Sequence, residues 1–343
     1  MGIVVNGRFL HDRPTGVGRV GRAWLVALRA ADPGGCAVWA PRAIRDPLVD
    51  RGIGGLTGRA GDVAWEQVVL PLAARDHLVV SLANTAPVAR RRAVTTVHDL
   101  APLHEPGWFH PRMQIYARVA LAAARRAAAV VAVSQVVADD LVRRGVAPAR
   151  VRVIHPAVDD RFRPAPPDAV AAVRARLGLD EPYLLCVGAH DPRNDAAFLL
   201  RVHLRLLPAF PHRLVLVGAP HPNLGSVTLP ELPSVVCPGR VEDDDLVALY
   251  TGAAALAFPS RLEGFGLPPL EARACGTPAV VSDLPVLHES TAGAATFVAL
   301  DDVDGWTDAL AAALRGELAA GPVPTRTPAD GGRELATVLR ALR

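Results

Sequence analysis

The residues best suited to chemistry lie in one stretch, Pro259 to Glu271, which reads PSRLEGFGLPPLE. Two carboxylates, Glu263 and Glu271, bracket a loop carrying Gly264 and Gly266. Glycine lets a backbone come close to a ligand. Pro268 and Pro269 suit the first turn of a helix, where a missing N–H is no loss. A loop of this kind feeding a helix N-terminus offers amide donors and the positive end of the helix dipole to an anion. The expected occupant is a phosphate, with the carboxylates reaching for hydroxyl groups on either side. The spacing alone is equally that of an ordinary strand–loop–helix corner with two solvated glutamates.

The loop follows an apolar run, Ala253–Phe258, long enough for one buried strand. With the intervening GFGLP and the following Ala274-Cys-Gly-Thr-Pro278, the segment resembles the signature of family-4 retaining glycosyltransferases of GT-B fold. The resemblance implies that Glu263 contacts a donor sugar and that the amides of Gly264, Phe265, Gly266 and Leu267 hold the donor phosphate and sugar. It further implies that Glu271 binds the ribose of a nucleotide.

Three further segments carry the same resemblance. Arg13-Pro-Thr-Gly-Val-Gly-Arg-Val-Gly21 formally contains G-x-G-x-x-G. It is a poor dinucleotide fingerprint, because the preceding strand candidate Ile3–Val5 ends too early and the next, Ala37–Ala40, is followed by Pro41 and not by an acidic residue. It reads better as a mobile loop over a helix N-terminus, and the resemblance assigns Gly16 and Gly18 to covering the donor phosphates. The string TTVHDLAPLHEPGWF places His98 at a strand end, where ligand-facing residues of α/β sheets belong. A lone histidine there is commonly structural; the resemblance implies that it lines the reaction face. Gly239-Arg-Val-Glu-Asp-Asp matches a loop that meets the nucleotide base, partly through backbone near Val241, while its acids suit a helix N-terminus.

The chain departs from the family at YLLCVGAHDPRNDAAFL. Members usually carry Pro-Arg-Lys-Asn there, whose lysine neutralises the donor diphosphate, and often an arginine just after Val-Gly. Here Asn194 stands at the lysine position, Asp195 beside it, and Ala189 after Val-Gly. A departing diphosphate gains negative charge in the transition state, so a lost cation there costs about 3 kcal/mol unless another serves. Arg193, next in sequence, is the candidate replacement. The Asn-Gly pair usual before the linker is also missing from Pro156-Ala-Val-Asp159.

The elements that must hold these residues are legible as alternating apolar strands and helical stretches. Strand candidates continue through His77–Leu82, Val94–Val97, Val130–Val133, Tyr183–Val187, Leu214–Val217, Ser234–Cys237, Ala279–Ser282 and Thr296–Leu300. Helices are expected over Val17–Ala31, Asp62–Ala74 with Trp65, Val68, Val69 and Leu72 as its buried face, Arg112–Ala129, Ser134–Arg144 and Arg333–Leu342. Gly52–Gly61 reads as a flexible surface loop and Arg163–Pro167 as a stiff linker. The alternation predicts α/β architecture: GT-B, two Rossmann-like doubly wound parallel-sheet domains facing a cleft. The expected domains are 1–162 on the acceptor side, 163–330 on the donor side, and a terminal helix, 331–343, returning to the first.

Composition narrows the function classes. A chain of 343 residues, half of them hydrophobic and 21% charged, suits two soluble domains. It has no apolar run of membrane-spanning length, and the N-terminal residues lack the basic and long apolar regions of a secretory signal, so none is expected. All 37 basic residues are arginine, and the net charge is +3. No basic stripe alternates with aromatics, which argues against a nucleic-acid partner. Arginine pairs leave open a peripheral contact with an anionic membrane surface. Cys36, Cys186, Cys237 and Cys275 are far apart and read as reduced core thiols of a cytoplasmic protein. His104, Glu105 and His110 fit no zinc spacing, so no metal is expected.

The expectation is a metal-independent retaining hexosyltransferase without cofactor. It would take a nucleotide diphosphate sugar as donor and a glycan, lipid-linked or small-molecule acceptor, with mannose a candidate sugar. His98, Glu263 and Arg193 would be catalytic. Two alternatives remain: a non-catalytic relative that binds nucleotide or sugar and regulates a partner, and a GT-B sugar-nucleotide epimerase.

Overall fold

The computed structural model describes residues 2–10, 16–54, 58–188, 190–220 and 231–342, with 58–60 described by their backbone. Arg13–Thr15 of the N-terminal glycine loop and Ala189 lie outside the described residues. By its contacts the chain divides into two compact units, one of 1–104, 111–157 and 326–343, the other of 105–110 and 158–325.

The first unit is a seven-stranded parallel sheet ordered β3-β2-β1-β4-β5-β6-β7. Its strands are β1 (Ile3–Asn6), β2 (Cys36–Pro41), β3 (Arg51–Ile53), β4 (Leu78–Ser81), β5 (Ala93–Val97), β6 (Ala129–Ala132) and β7 (Val151–Val153). Its helices are α1 (Gly16–Ala31), α2 (Gly58–Ala64), α3 (Leu70–Ala73), α4 (Ala101–His104), α5 (Pro111–Arg126) and α6 (Gln135–Arg143). The central strands are buried Val-rich runs, as parallel sheets covered on both faces require.

The second unit is a six-stranded parallel sheet ordered β10-β9-β8-β11-β12-β13. It comprises α7 (Pro167–Leu177), β8 (Tyr183–Val187), α8 (Ala196–Leu206), β9 (Arg213–Val217), β10 (Val235–Gly239), α9 (Asp243–Gly252), β11 (Ala255–Phe258), α10 (Leu267–Ala274), β12 (Ala279–Ser282), α11 (Pro285–Thr291), β13 (Thr296–Val298) and α12 (Val303–Leu314). Phe198 and Trp306 meet edge to face at 5.8 Å in its core. The last helix, α13 (Pro328–Arg340), belongs to the first unit and packs on α1. Gly331 and Gly332 bring its backbone close to Trp24 and Ala27, leaving no room for a Cβ at either position.

Each sheet order reverses direction once. In the first the reversal falls between β1 and β4, in the second between β8 and β11. The carboxyl edge at such a reversal is where ligands of α/β sheets generally bind.

Four local expectations are corrected. Gly52–Gly61 is not a loop throughout, since Arg51–Ile53 pairs with β2 and a helix begins at Gly58. Three residues on an edge strand are too few to show a strand pattern. Asp62–Ala74 is not a uniform helix: Trp65–Val69 is a π-helical turn. Pro71 lacks an N–H and its ring crowds the carbonyl four residues back, which favours the wider turn. The extra residue rotates the following face, so Val68 and Leu72 are 54% and 70% exposed and Glu66 and Leu70 point inward. Gly16 and Gly18 lie within the first turn of α1, not in a loop before it. Cys237 is exposed on the edge strand β10, so it is not a core thiol.

Candidate functional site

The donor-side candidates gather at the reversal of the second sheet. β11 delivers Pro259–Gly266, and α10 starts at Leu267. Gly266 caps α10 in the left-handed conformation, φ 84° and ψ 68°. A Cβ there would fall closer than 3.0 Å to Leu287 Cδ2, so conformation and space both require glycine. Pro268 and Pro269 have no N–H, and this corner presents the amides of Gly266 and Leu267 at the positive end of the helix. Phe265 is buried and pins the loop to the core.

Both glutamates are held. The hydroxyl of fully buried Ser260 donates to Glu263 Oε1 at 2.9 Å. Tyr250 OH, from α9, donates to Glu271 Oε2 at 2.8 Å. Burial, and then the negative charge of Glu271, pushes the Tyr250 phenol far above its ordinary range, so it stays protonated as a donor. Sequence reasoning missed both partners. Neither lies at a spacing that marks it.

The loop after β8 meets the same corner. Arg261 N donates to Arg193 O at 2.8 Å, and the Arg261 guanidinium bonds Asp195 Oδ2 at 2.7 Å. Asp195, at φ 37°, caps α8 by accepting from Phe198 N at 3.1 Å. Arg193 does not stand open to a ligand. Its Nε donates to both Asp191 oxygens at 3.0 Å, and Nη2 donates to Oδ2 at 2.5 Å. Asn194 is only 6% exposed, with Nδ2 donating to the carbonyls of Val187 and Gly188 at 3.3 and 3.0 Å. It ties the loop to the end of β8, and its Oδ1 has no partner among the described residues. Val241 lies between β10 and α9, and the acids after it are engaged by arginines: Asp243 by Arg161 and Asp245 by Arg176.

In the first unit, His98 follows β5 and is 7% exposed. Its N–H donates to Asn84 Oδ1 at 2.6 Å, and Nε2 lies 3.0 Å from Leu82 O. A carbonyl only accepts, so Nε2 carries the proton and Nδ1 the lone pair. Burial pushes its pKa down, which keeps the ring neutral. Asn84 holds a positive φ of 52°. Asp99 Oδ1 accepts from Ala101 N at 3.1 Å and so starts α4.

A second cluster sits at the reversal of this sheet. Glu66, 1% exposed in the π-turn, accepts from Asn6 Nδ2 and Thr85 Oγ1, both at 2.7 Å, and pairs with Arg8 Nη1 at 3.2 Å. Arg8 Nη2 reaches Thr85 Oγ1 at 3.3 Å and Tyr116 OH at 3.2 Å. These residues are scattered from position 6 to 116, and no spacing in the sequence links them.

Among the described residues no three His, Cys, Asp or Glu side chains converge as metal ligands. Nor is any helix among them long and apolar enough to cross a membrane.

Two family models match the chain. Residues 181–316 match the family model for "Glycosyl transferases group 1", and residues 74–162 match "Glycosyltransferase Family 4". The chain is 33% identical over 287 residues to the D-inositol 3-phosphate glycosyltransferase of Saccharomonospora viridis, covering 77% of this chain and 62% of that protein. It is 29% identical over 239 residues to the O-antigen chain mannosyltransferase RfbU of Salmonella typhimurium, covering 68% and 64%. It thus spans under two thirds of the length of these curated relatives. The fold matches the crystal structure of Anabaena HepE with UDP and glucose at a TM-score of 0.68 and 15% identity, covering 99% of this chain and 96% of that one.

Proposed function

Because the chain belongs to glycosyltransferase family 4, the group 1 glycosyltransferases of GT-B fold, we propose that it moves a hexose from a nucleotide diphosphate sugar to an acceptor with retention. The observation that carries this reading is the corner between β11 and α10. There Gly266 opens a helix N-terminus between two positioned carboxylates at a sheet reversal.

In this reading Gly264, Phe265, Gly266 and Leu267 form the strap under the diphosphate, with the amides of Gly266 and Leu267 and the dipole of α10 taking its charge. Glu271, oriented by Tyr250, accepts from the ribose hydroxyls. Glu263, oriented by Ser260, accepts from hydroxyls of the sugar. As the bond to the sugar breaks, charge grows on the phosphate, and fixed donors there stabilise the transition state more than the ground state. Arg193 supplies the cation by exchanging Asp191 for phosphate, a bidentate partner of the same geometry. Asn194 acts through the loop it ties down, and Val241 offers backbone to the base. Neutral His98 lines the acceptor face with Nδ1 as acceptor, and the first turn of α1, with Gly16 and Gly18, approaches the phosphates. Attack comes from the face the diphosphate leaves. Mannose is the first sugar to test, since the relatives include a mannosyltransferase, and UDP is among the nucleotides to test, since HepE holds it.

The engagement of Arg193 by Asp191 favours a second reading, a relative that binds nucleotide but transfers poorly. The two separate on Glu263→Ala. Transfer should fall by about a hundredfold or more, as for loss of other transition-state contacts, with donor binding retained and the wild-type product keeping the donor's anomeric configuration by NMR. Full transfer by Glu263→Ala refutes its role. Donor binding by the wild type without any transfer establishes the second reading.

A further inference from the structure

The reversal of the seven-stranded sheet holds a charged network whose expense the fold does not explain. Glu66 is buried with both carboxylate oxygens engaged: Oε1 by Asn6 and Thr85, Oε2 by Arg8 and, at 3.4 Å, by Gln67. Asn6 ends β1 and Ser81 ends β4, and the two are joined at 3.2 Å across the point where the strand order turns. Burying an ion pair gives little net stability over apolar residues of the same volume. A π-turn, here the one that aims Glu66 inward, is a frequent mark of a functional site. The network continues through adjacent Asn84, left-handed at φ 52°, to the backbone of His98.

Its outer member is Arg8, with 14% of its side chain exposed. One nitrogen of the fork faces Glu66 and another donates to Thr85 and Tyr116. Tyr116 OH donates to Thr85 Oγ1 at 3.2 Å and accepts from Arg8 Nη2 at 3.2 Å, so the phenol and the guanidinium lie side by side. The guanidinium charge is offset by a carboxylate 3.2 Å away, so an approaching phosphate gains little attraction from Arg8 and meets Glu66 behind it. The site offers fixed donors and acceptors without net positive charge. That is the chemistry of a sugar hydroxyl, not of a phosphate.

We propose that Arg8, Tyr116 and the Glu66 network form an acceptor subsite for a neutral saccharide, with Glu66 the residue that disfavours phosphorylated polyols. The inference rests on the transferase reading and names its acceptor class. Glu66 is a positioning residue; Arg8 and Tyr116 touch the acceptor.

The test uses the full chain with whichever of UDP-, GDP- or TDP-sugar binds by calorimetry, and two acceptor probes, methyl α-D-mannopyranoside and D-myo-inositol 3-phosphate. The wild type should favour the mannoside in kcat/KM. Arg8→Lys, which keeps the charge but loses the fork, should raise the mannoside KM by about tenfold or more with the donor Kd unchanged. Tyr116→Phe should move the same constant in the same direction. Glu66→Gln, which keeps the shape and uncovers the cation, should shift the preference toward inositol 3-phosphate. If that variant fails to fold by circular dichroism, the other two still decide. A wild-type preference for inositol 3-phosphate overturns the proposal, as does an unchanged mannoside KM in Arg8→Lys, or a donor Kd that shifts with it. If the wild type binds no nucleotide sugar, the transferase reading fails first and this inference with it.

Discussion

Gly266→Ala isolates how strictly the strap is built. The glycine sits at φ 84°, where an L-residue pays about 1–2 kcal/mol. A Cβ would also press on Leu287 Cδ2, the end of a fully buried side chain that has nowhere to move without disturbing the core. Overpacking of this kind costs a further ~1–3 kcal/mol. Gly178 is the matched control in the same unit: it caps α7 at φ 63° with nothing within 4 Å of its would-be Cβ. Alanine also restricts the unfolded chain by ~0.4–1 kcal/mol in favour of folding, but this applies to both variants and cancels in the comparison. Gly178→Ala should therefore cost about 1 kcal/mol, and Gly266→Ala about 2–4 kcal/mol. Urea denaturation followed by circular dichroism measures the difference. Calorimetry should show nucleotide binding weakened by about tenfold in Gly266→Ala, because the displaced corner misaims two amides, and unaltered in Gly178→Ala. Equal costs for the two substitutions would refute the claim that Leu287 closes the space. Unaltered binding in Gly266→Ala would refute the claim that this corner carries the phosphate.

Other expectations follow from single contacts. Tyr250→Phe removes the donor to Glu271 without removing the ring, and should weaken donor binding by about tenfold, the worth of a bond to a charged group; unchanged affinity would mean that Glu271 needs no orienting partner. Asp191→Asn should strengthen diphosphate binding by releasing Arg193, and a weaker Kd by calorimetry would show that the pair itself builds the site. In the second unit, Ser234 donates to His203 Nε2 at 2.9 Å, His203 Nδ1 to His212 Nε2 at 2.8 Å, and His212 Nδ1 to the Phe210 carbonyl at 2.7 Å, a direction fixed by that carbonyl. Burial, and then His212, lowers His203 to about 4, and burial lowers His212. A folded-state pKa below the unfolded value near 6.5 means the chain stabilises above about pH 6.5 and is lost as pH falls toward 4. NMR titration of the imidazole protons should show His203 unprotonated at pH 5, and a midpoint near 6.5 would contradict the buried relay.

What the sequence revealed and hid follows from how each feature is encoded. Buried central strands such as Val130–Val133 and Tyr183–Val187 are continuous apolar runs, and the second sheet alternates regularly with helices, so both were readable. β3 and β7 are three residues each, RGI and VRV, with exposed positions that carry no period. The π-turn was hidden, because a helical pattern with Val68 and Leu72 fits an ordinary turn until the extra residue is known. The Pro259–Glu271 corner was legible because glycine, proline and carboxylate are local signals. The Glu66 network was not, since its partners meet only when β1 and β4 lie side by side. Asn194 illustrates a different limit. It stands where a cation was expected, yet the structure uses its amide to satisfy two carbonyls at the end of β8, a role no spacing announces.

The central claim is that Glu271 and the strap of α10 bind a nucleotide diphosphate sugar. Calorimetric titration of UDP-, GDP- and TDP-sugars, without metal, into the wild type and Glu271→Ala tests it most directly. One donor should bind selectively with a Kd between about 1 μM and 1 mM, weakened by about tenfold or more in the variant. No binding by any donor, or equal binding by Glu271→Ala, would contradict it.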